Sequence, residues 1–185
     1  MYSDPLFSIK DKVCIVTGGL GQLGAQYTRT LLERGGKVAV FARNVSEDKR
    51  KSVFTEEELN SGSLDFYQVN ICDKANINEA LDAIEAKWGT PTVCVNNAGQ
   101  DTQPSAPPEV SGPFENFPEE VFRQVVEVNL TGCFLMCQAV GARMARNGQG
   151  GSIINVGSIY GLLSPVQDIY AYKEELTGVR FVKPV

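Results

Sequence analysis

Apolar residues in this chain alternate between short unbroken runs and longer stretches with a helical spacing. Val13-Cys14-Ile15-Val16-Thr17 is short, apolar and β-branched, the pattern of a strand buried on both faces. A glycine cluster follows, then Leu23, Tyr27 and Leu31 spaced four apart, which predicts a helix that Gly35-Gly36 ends. Val38 to Ala42 is a second buried strand. Residues 44–62 are polar and charge-rich, a surface helix and loop in which Glu56-Glu57-Glu58 forms a solvated face. Leu64 to Val69 is a third strand. Ile77, Leu81, Ile84 and Trp88 mark an amphipathic helix closed by Gly89 and Pro91. Thr92 to Val95 is a fourth strand, and residues 100–118, with five prolines, form a loop. A long helix is predicted from about Glu119 to Arg146, with Phe122, Val125, Val126, Cys133, Met136, Val140 and Met144 on its apolar stripe. Ser152 to Val156 is a fifth strand.

Strands alternating with helices predict a parallel sheet with right-handed crossovers. The expected fold class is α/β, a doubly wound parallel sheet of three-layer α/β/α Rossmann type, in a single domain over residues 1–185. The 43% hydrophobic and 21% charged composition is that of a folded globular chain. A formal charge of −5, from 17 basic and 22 acidic residues, gives no electrostatic footprint for nucleic acid or an anionic membrane. The absence of histidine excludes a Ser-His-Asp triad, a histidine base and a histidine metal site within the chain. Cys14, Cys72, Cys94, Cys133 and Cys137 form no C-x-x-C pair and read as buried, reduced thiols in apolar surroundings, with no metal. Residues 1–12 lack the apolar core of a signal peptide, and no stretch approaches the ~20 apolar residues that cross a bilayer. The expectation is a soluble cytoplasmic protein.

The candidate chemistry begins where the first strand ends, in Thr17-Gly18-Gly19-Leu20-Gly21-Gln22-Leu23-Gly24. Gly19-x-Gly21-x-x-Gly24 satisfies the dinucleotide fingerprint in the strand–turn–helix context it requires. Glycines let the backbone approach a pyrophosphate, and the helix N-terminus offers free N–H groups and a positive dipole end. A tight turn without a ligand uses the same residues.

With Asn96-Asn97-Ala98-Gly99 after the fourth strand, Asn129 in Val128-Asn129-Leu130-Thr131-Gly132 and Ser158 after the fifth strand, the chain resembles the short-chain dehydrogenase/reductase family from Lys10 to Gly161. The turn departs from the family's T-G-x-x-x-G-x-G, because Gln22 stands in the second glycine's place and Gly21 precedes it. That spacing is similar to the longer sugar-nucleotide-modifying branch, whereas Asn-Asn-Ala-Gly belongs to the ordinary branch. The resemblance implies that Gly18, Gly19, Gly21, Gln22, Leu23 and Gly24 hold the cofactor's pyrophosphate. It places Asn97, Ala98 and Gly99 along the adenosine-ribose and nicotinamide side. It puts Asn70 and Ile71 at the adenine, with Asn70 where the family has Asp. Asn129 on its apolar stripe reads by itself as a satisfied core asparagine, but the resemblance reverses that reading and implies that it holds a relay water through its backbone carbonyl. Ser158 would steady the substrate oxygen, although a serine in a strand-end turn is ordinary.

The family's Tyr-x-x-x-Lys pair supplies the proton and tunes its donor. Four residues after Tyr27, Tyr67, Tyr160, Tyr170 and Tyr172 come Leu31, Ile71, Ser164, Glu174 and Leu176. Lys173 lies one residue too close to Tyr170, and residues 170–178 read as a surface insertion. The resemblance therefore implies a C-terminally truncated form, incomplete after the fifth strand and inactive alone. Residues 181–185 would approach a helix that the family continues with. Two readings stand: an oxidoreductase moving hydride between NAD(P)(H) and a small-molecule alcohol or carbonyl, or a non-catalytic dinucleotide-binding fragment or sensor. NADP is the expected cofactor, with NAD possible, because Ala42 occupies the place of the acid that binds a ribose 2′-OH and Arg43 follows it. A homo-oligomer is expected, since the stripe around Cys133, Met136 and Val140 and the edge of the fifth strand would otherwise be exposed.

Overall fold

A computed structural model describes residues 7–101, 110, 114–164, 166–178 and 180–181. Most of the proline-rich loop and the last four residues lie outside these. The chain divides into two compact units, one formed by residues 1–98 and 131–156, the other by residues 99–130 and 157–185.

The first unit is built on a five-stranded sheet in the order β3-β2-β1-β4-β5. Its strands are β1 (Val13–Thr17), β2 (Lys37–Ala42), β3 (Leu64–Gln68), β4 (Val93–Asn96) and β5 (Ser152–Asn155), every pairing parallel. Strand order reverses between β1 and β4, the switch point of an open α/β sheet. Burial explains the sequence pattern: β1 and β4 are buried at every position, so both faces select apolar side chains. β5 is the edge strand, with Ile154 49% exposed. The helices of this unit are α1 (Gln22–Glu33), α2 (Glu47–Lys51), α3 (Glu56–Leu59), α4 (Lys74–Trp88) and α6 (Cys133–Asn147). Residues 44–62 hold two short helices with no buried residue. Thr55 and Glu58 cap α3 reciprocally, and Glu58 pairs with Arg29 at 2.8 Å, so only Glu56 and Glu57 of that run are solvated. Arg143 joins α6 to α4, 2.8 Å from Asp82 and 2.7 Å from Glu85.

Expectations about the helices need correction. In α1 the buried residues are Gly24, Ala25 and Thr28, while Leu23 is exposed. Small side chains let this helix approach the sheet closely, and Tyr27 and Leu31 of the predicted spacing pack partly buried against the core. The long helix is α5 (Glu119–Val126), a π-helical stretch Glu127–Gly132 and α6. The wider π turn shifts the register. Met136, Val140 and Met144 are buried, so Met136 and Val140 form no open patch, but Phe122, Leu130 and Phe134 are exposed. This 29-residue helix, Glu119–Asn147, contains a window of mean hydropathy 1.4 and is long and apolar enough to cross a membrane by length and composition. The expectation that no stretch comes near that length therefore fails. Glu127 is the one charged residue between Val125 and Ala142, and Asn129, Thr131, Gly132 and Gln138 interrupt the apolar run without adding charge.

The second unit holds 3-10 turns at Phe114–Asn116, Ile159–Gly161 and Gln167–Tyr170, with α5 and α7 (Ala171–Thr177). α7 has no buried residue, as expected of a surface segment, and Leu162 and Leu176 are 90% and 79% exposed.

Candidate dinucleotide site

In a parallel sheet the carboxyl ends of β1 to β4 lie at one end, and the candidate residues of the first unit leave the sheet there. The turn after β1 is held by its own backbone: Gly18 N–H donates to Phe41 O at 2.8 Å and Gly21 N–H to Gly18 O at 2.9 Å. A Cβ on Gly24 would stand 2.3 Å from Gly18 O, and one on Gly19 2.8 Å from a Val40 methyl. These positions accept no side chain, which lets α1 begin directly over the turn. Gly21, the N-cap of α1, has φ −86° and supplies no side-chain cap, and the first turn holds no acidic residue. The first helical bond runs from Ala25 N–H to Gly21 O, so the N–H groups of Gln22, Leu23 and Gly24 have no helical acceptor. Gln22 and Leu23 are exposed. Free N–H groups beside a glycine turn, at the positive end of a helix, fit a pyrophosphate.

Thr17, at the end of β1, organises the neighbouring turn. Its side chain is buried, and its hydroxyl accepts from Asn97 N–H at 3.0 Å and Ala98 N–H at 2.9 Å. Asn97 Nδ2 in turn donates to Thr17 O at 3.0 Å and Gly18 O at 3.4 Å. The ends of β1 and β4 are thus stitched together across the switch point. The signal was a hydroxyl in a strand buried on both faces, which must find partners.

Ala42 ends β2 and accepts from Val69 N–H at 3.0 Å, so Arg43 and Asn70 leave neighbouring strands at the same end. Arg43 is exposed and, among the described residues, has no carboxylate within ion-pair distance. Asn70 is exposed and Ile71 buried. Asn70 Oδ1 accepts from Cys72 N–H at 3.1 Å, closing an Asx turn, and its Nδ2 remains on the open side chain. Asp73 caps α4 through Ala75 and Asn76 N–H, another role without a sequence forecast.

Gly99, Asn129 and Ser158 belong to the second unit. Asn129 is exposed within the π stretch rather than buried on the stripe. Its amide clasps the backbone of Gln100, Oδ1 accepting from N–H at 2.7 Å and Nδ2 donating to O at 2.9 Å. A Cβ on Gly99 would lie 3.5 Å from Asn129 Oδ1. Ser158 Oγ accepts from Tyr160 N–H at 3.1 Å and caps the following 3-10 turn, which leaves its O–H free to donate. Tyr170 packs edge-on against Phe181 at 4.9 Å, with Lys173 Nζ 4.2 Å from the same ring.

The family model for short chain dehydrogenase matches residues 12–173, and the chain belongs to that family. It is 31% identical over 164 residues to the 3-oxoacyl-(acyl-carrier-protein) reductase FabG of Thermotoga maritima, covering 88% of this chain and 62% of that protein. It is 33% identical over 176 residues to the NADP-dependent (R)-specific alcohol dehydrogenase of Lentilactobacillus kefiri, covering 94% of this chain and 64% of that one. Among solved structures, a short chain dehydrogenase from Leptospira borgpetersenii with bound NAD+ superposes with a TM-score of 0.76 at 26% identity, over 97% of this chain and 65% of that one. The chain thus spans about three fifths of the length of the curated relatives it matches.

Proposed function

We propose that the protein is an oxidoreductase that moves a hydride between NADP(H) and the alcohol or carbonyl carbon of a small molecule. The observation that carries this reading is the uncapped start of α1 over a turn whose Gly19 and Gly24 admit no side chain. Gly18, Gly19, Gly21, Gln22, Leu23 and Gly24 would hold the pyrophosphate. Asn97 and Ala98, fixed by Thr17, and Gly99 would line the ribose and nicotinamide side, with Asn70 and Ile71 at the adenine. The bound nicotinamide supplies or accepts the hydride. Arg43 favours a 2′-phosphate, because guanidinium pairs with it bidentately and no carboxylate ends β2 to repel it. The Lentilactobacillus relative is NADP-dependent and the Leptospira structure holds NAD+, so both cofactors occur among the relatives and NAD is the alternative. Ser158 would steady the substrate oxygen through its free O–H, and the Asn129 backbone carbonyl would hold a relay water. Five free thiols suit a cytoplasmic setting.

One observation favours a second reading, dinucleotide binding without turnover by these 185 residues. Tyr170 and Lys173 both pack on Phe181, and no tyrosine is followed four residues later by lysine. Following NADPH absorbance with a panel of aldehydes and ketones separates the two. Turnover that Tyr170→Phe or Lys173→Ala abolishes sinks the second reading. Saturable NADPH binding without turnover sinks the first for this chain.

A further inference from the structure

We infer that Cys133 and Cys137 form a dithiol site for a soft, two-coordinate metal ion of the copper(I) class. The two residues are four apart on α6, so their side chains share one face. Each sulfur lies 3.4 Å from Asn155 Oδ1 on β5, so the two thiols converge on one acceptor. Both are half-buried and solvent can reach them. Asn96 Nδ2 fixes the arrangement from the other side, 2.8 Å from Asn155 Oδ1 and 3.3 Å from Cys137 Sγ. Cys94, which is buried, turns its sulfur to Asn96 Oδ1 at 3.4 Å instead. Cys94, Cys133 and Cys137 therefore sit in a network with two amides rather than in apolar surroundings, whereas Cys14 lies in the apolar core as expected.

Ligand count selects the ion. Among the described residues no group of three or more His, Cys, Asp or Glu could hold a metal, so zinc lacks its four ligands. Two thiolates suit a soft monovalent ion. Side chains four apart on a helix have Cβ atoms about 5–6 Å apart, whereas a disulfide needs about 3.8 Å. A bridging atom spans this gap without distorting the helix, and a direct S–S bond does not. Binding is not a redox step: each thiol releases its proton to solvent as its sulfur–copper bond forms. A trivalent organo-arsenic oxide tests the same geometry, because its As=O oxygen leaves as water with the two thiol protons while two As–S bonds form.

Copper(I) titration against a chromophoric copper(I) chelator, with the intact protein under reducing conditions, should show one equivalent retained. Phenylarsine oxide should give one adduct that shields Cys133 and Cys137 from alkylation and leaves Cys72 open. Cys133→Ser and Cys137→Ser should each abolish both effects with an unchanged circular dichroism spectrum, while Cys72→Ser preserves them. Failure to retain copper(I), unshielded Cys133 and Cys137, or an adduct that survives in the Cys133→Ser, Cys137→Ser double variant would each overturn the inference.

Discussion

Replacing Thr17 with valine removes one hydroxyl and keeps nearly the same volume. That hydroxyl is the acceptor for Asn97 N–H and Ala98 N–H and stands 3.5 Å from Val95 O, to which it donates. Thr17 itself is 1% exposed, so water cannot take its place. Each buried N–H left without an acceptor costs about 1–3 kcal/mol. Asn97 and Ala98 are half-buried and recover part of this from solvent, which puts the expected destabilisation at about 2–3 kcal/mol. Urea unfolding followed by circular dichroism should show that loss in Thr17→Val, with an unchanged m-value, and near-parent stability in Thr17→Ser. Because the same hydroxyl sets the turn after β4, NADP+ affinity should also fall, by about tenfold for each ~1.4 kcal/mol of lost turn order. A Thr17→Val protein within about 0.5 kcal/mol of the parent, with the parent's NADP+ affinity, would refute the reasoning.

Arg143→Ala should destabilise by about 2 kcal/mol in the same urea assay. That is below the ~3–5 kcal/mol for breaking a fully buried pair, because Asp82 is 71% exposed and regains water. The Asp65 carboxyl experiences burial, which raises its pKa, but hydrogen bonds from Lys87 and Phe66 N–H, with the Lys87 charge, outweigh it and hold the pKa below its ordinary value. Its folded pKa is depressed, so its stabilising contribution is present above the unfolded value near 3.8 and lost as pH falls through the folded value. Asp65→Asn should therefore flatten the stability profile below about pH 4, and an unchanged acid limb would contradict this. Sedimentation at micromolar concentration should show self-association, given the edge position of β5 and the exposure of Ile154 and Phe134. A stable monomer would count against it.

β1, β2 and β4 were legible because each is a short run buried on both faces of a parallel sheet, where it has no amphipathic competitor, whereas β3 and the edge strand β5 are more exposed. The glycine turn was legible for a related reason: Gly19 and Gly24 sit where a side chain has no room, and only one residue type answers that demand. Helix faces were less so. Leu23 shares the spacing of Tyr27 and Leu31, which do pack against the core, but is itself exposed, while buried Gly24, Ala25 and Thr28 add contacts that the spacing of large residues does not weigh. Asn129 looked buried because a regular 3.6-residue helix puts it on the stripe, whereas the π turn at Glu127–Gly132 carries it outward. Arg143 was invisible as a buried residue, since its burial depends on Asp82 and Glu85 some sixty residues earlier in the chain. The Thr17 clamp depended in the same way on the distant turn after β4.

The proposed function requires that the turn after β1 and the N-terminus of α1 hold a dinucleotide whose 2′-phosphate meets Arg43. Isothermal titration of NADP+ and NAD+ into the parent and into Arg43→Ala tests it most directly. One NADP+ per chain is expected, bound more tightly than NAD+, with NADP+ affinity reduced about tenfold, or ~1.4 kcal/mol, in Arg43→Ala and NAD+ affinity unchanged. No saturable binding of either dinucleotide, or tighter binding of NAD+ together with an undiminished NADP+ affinity in Arg43→Ala, would contradict it.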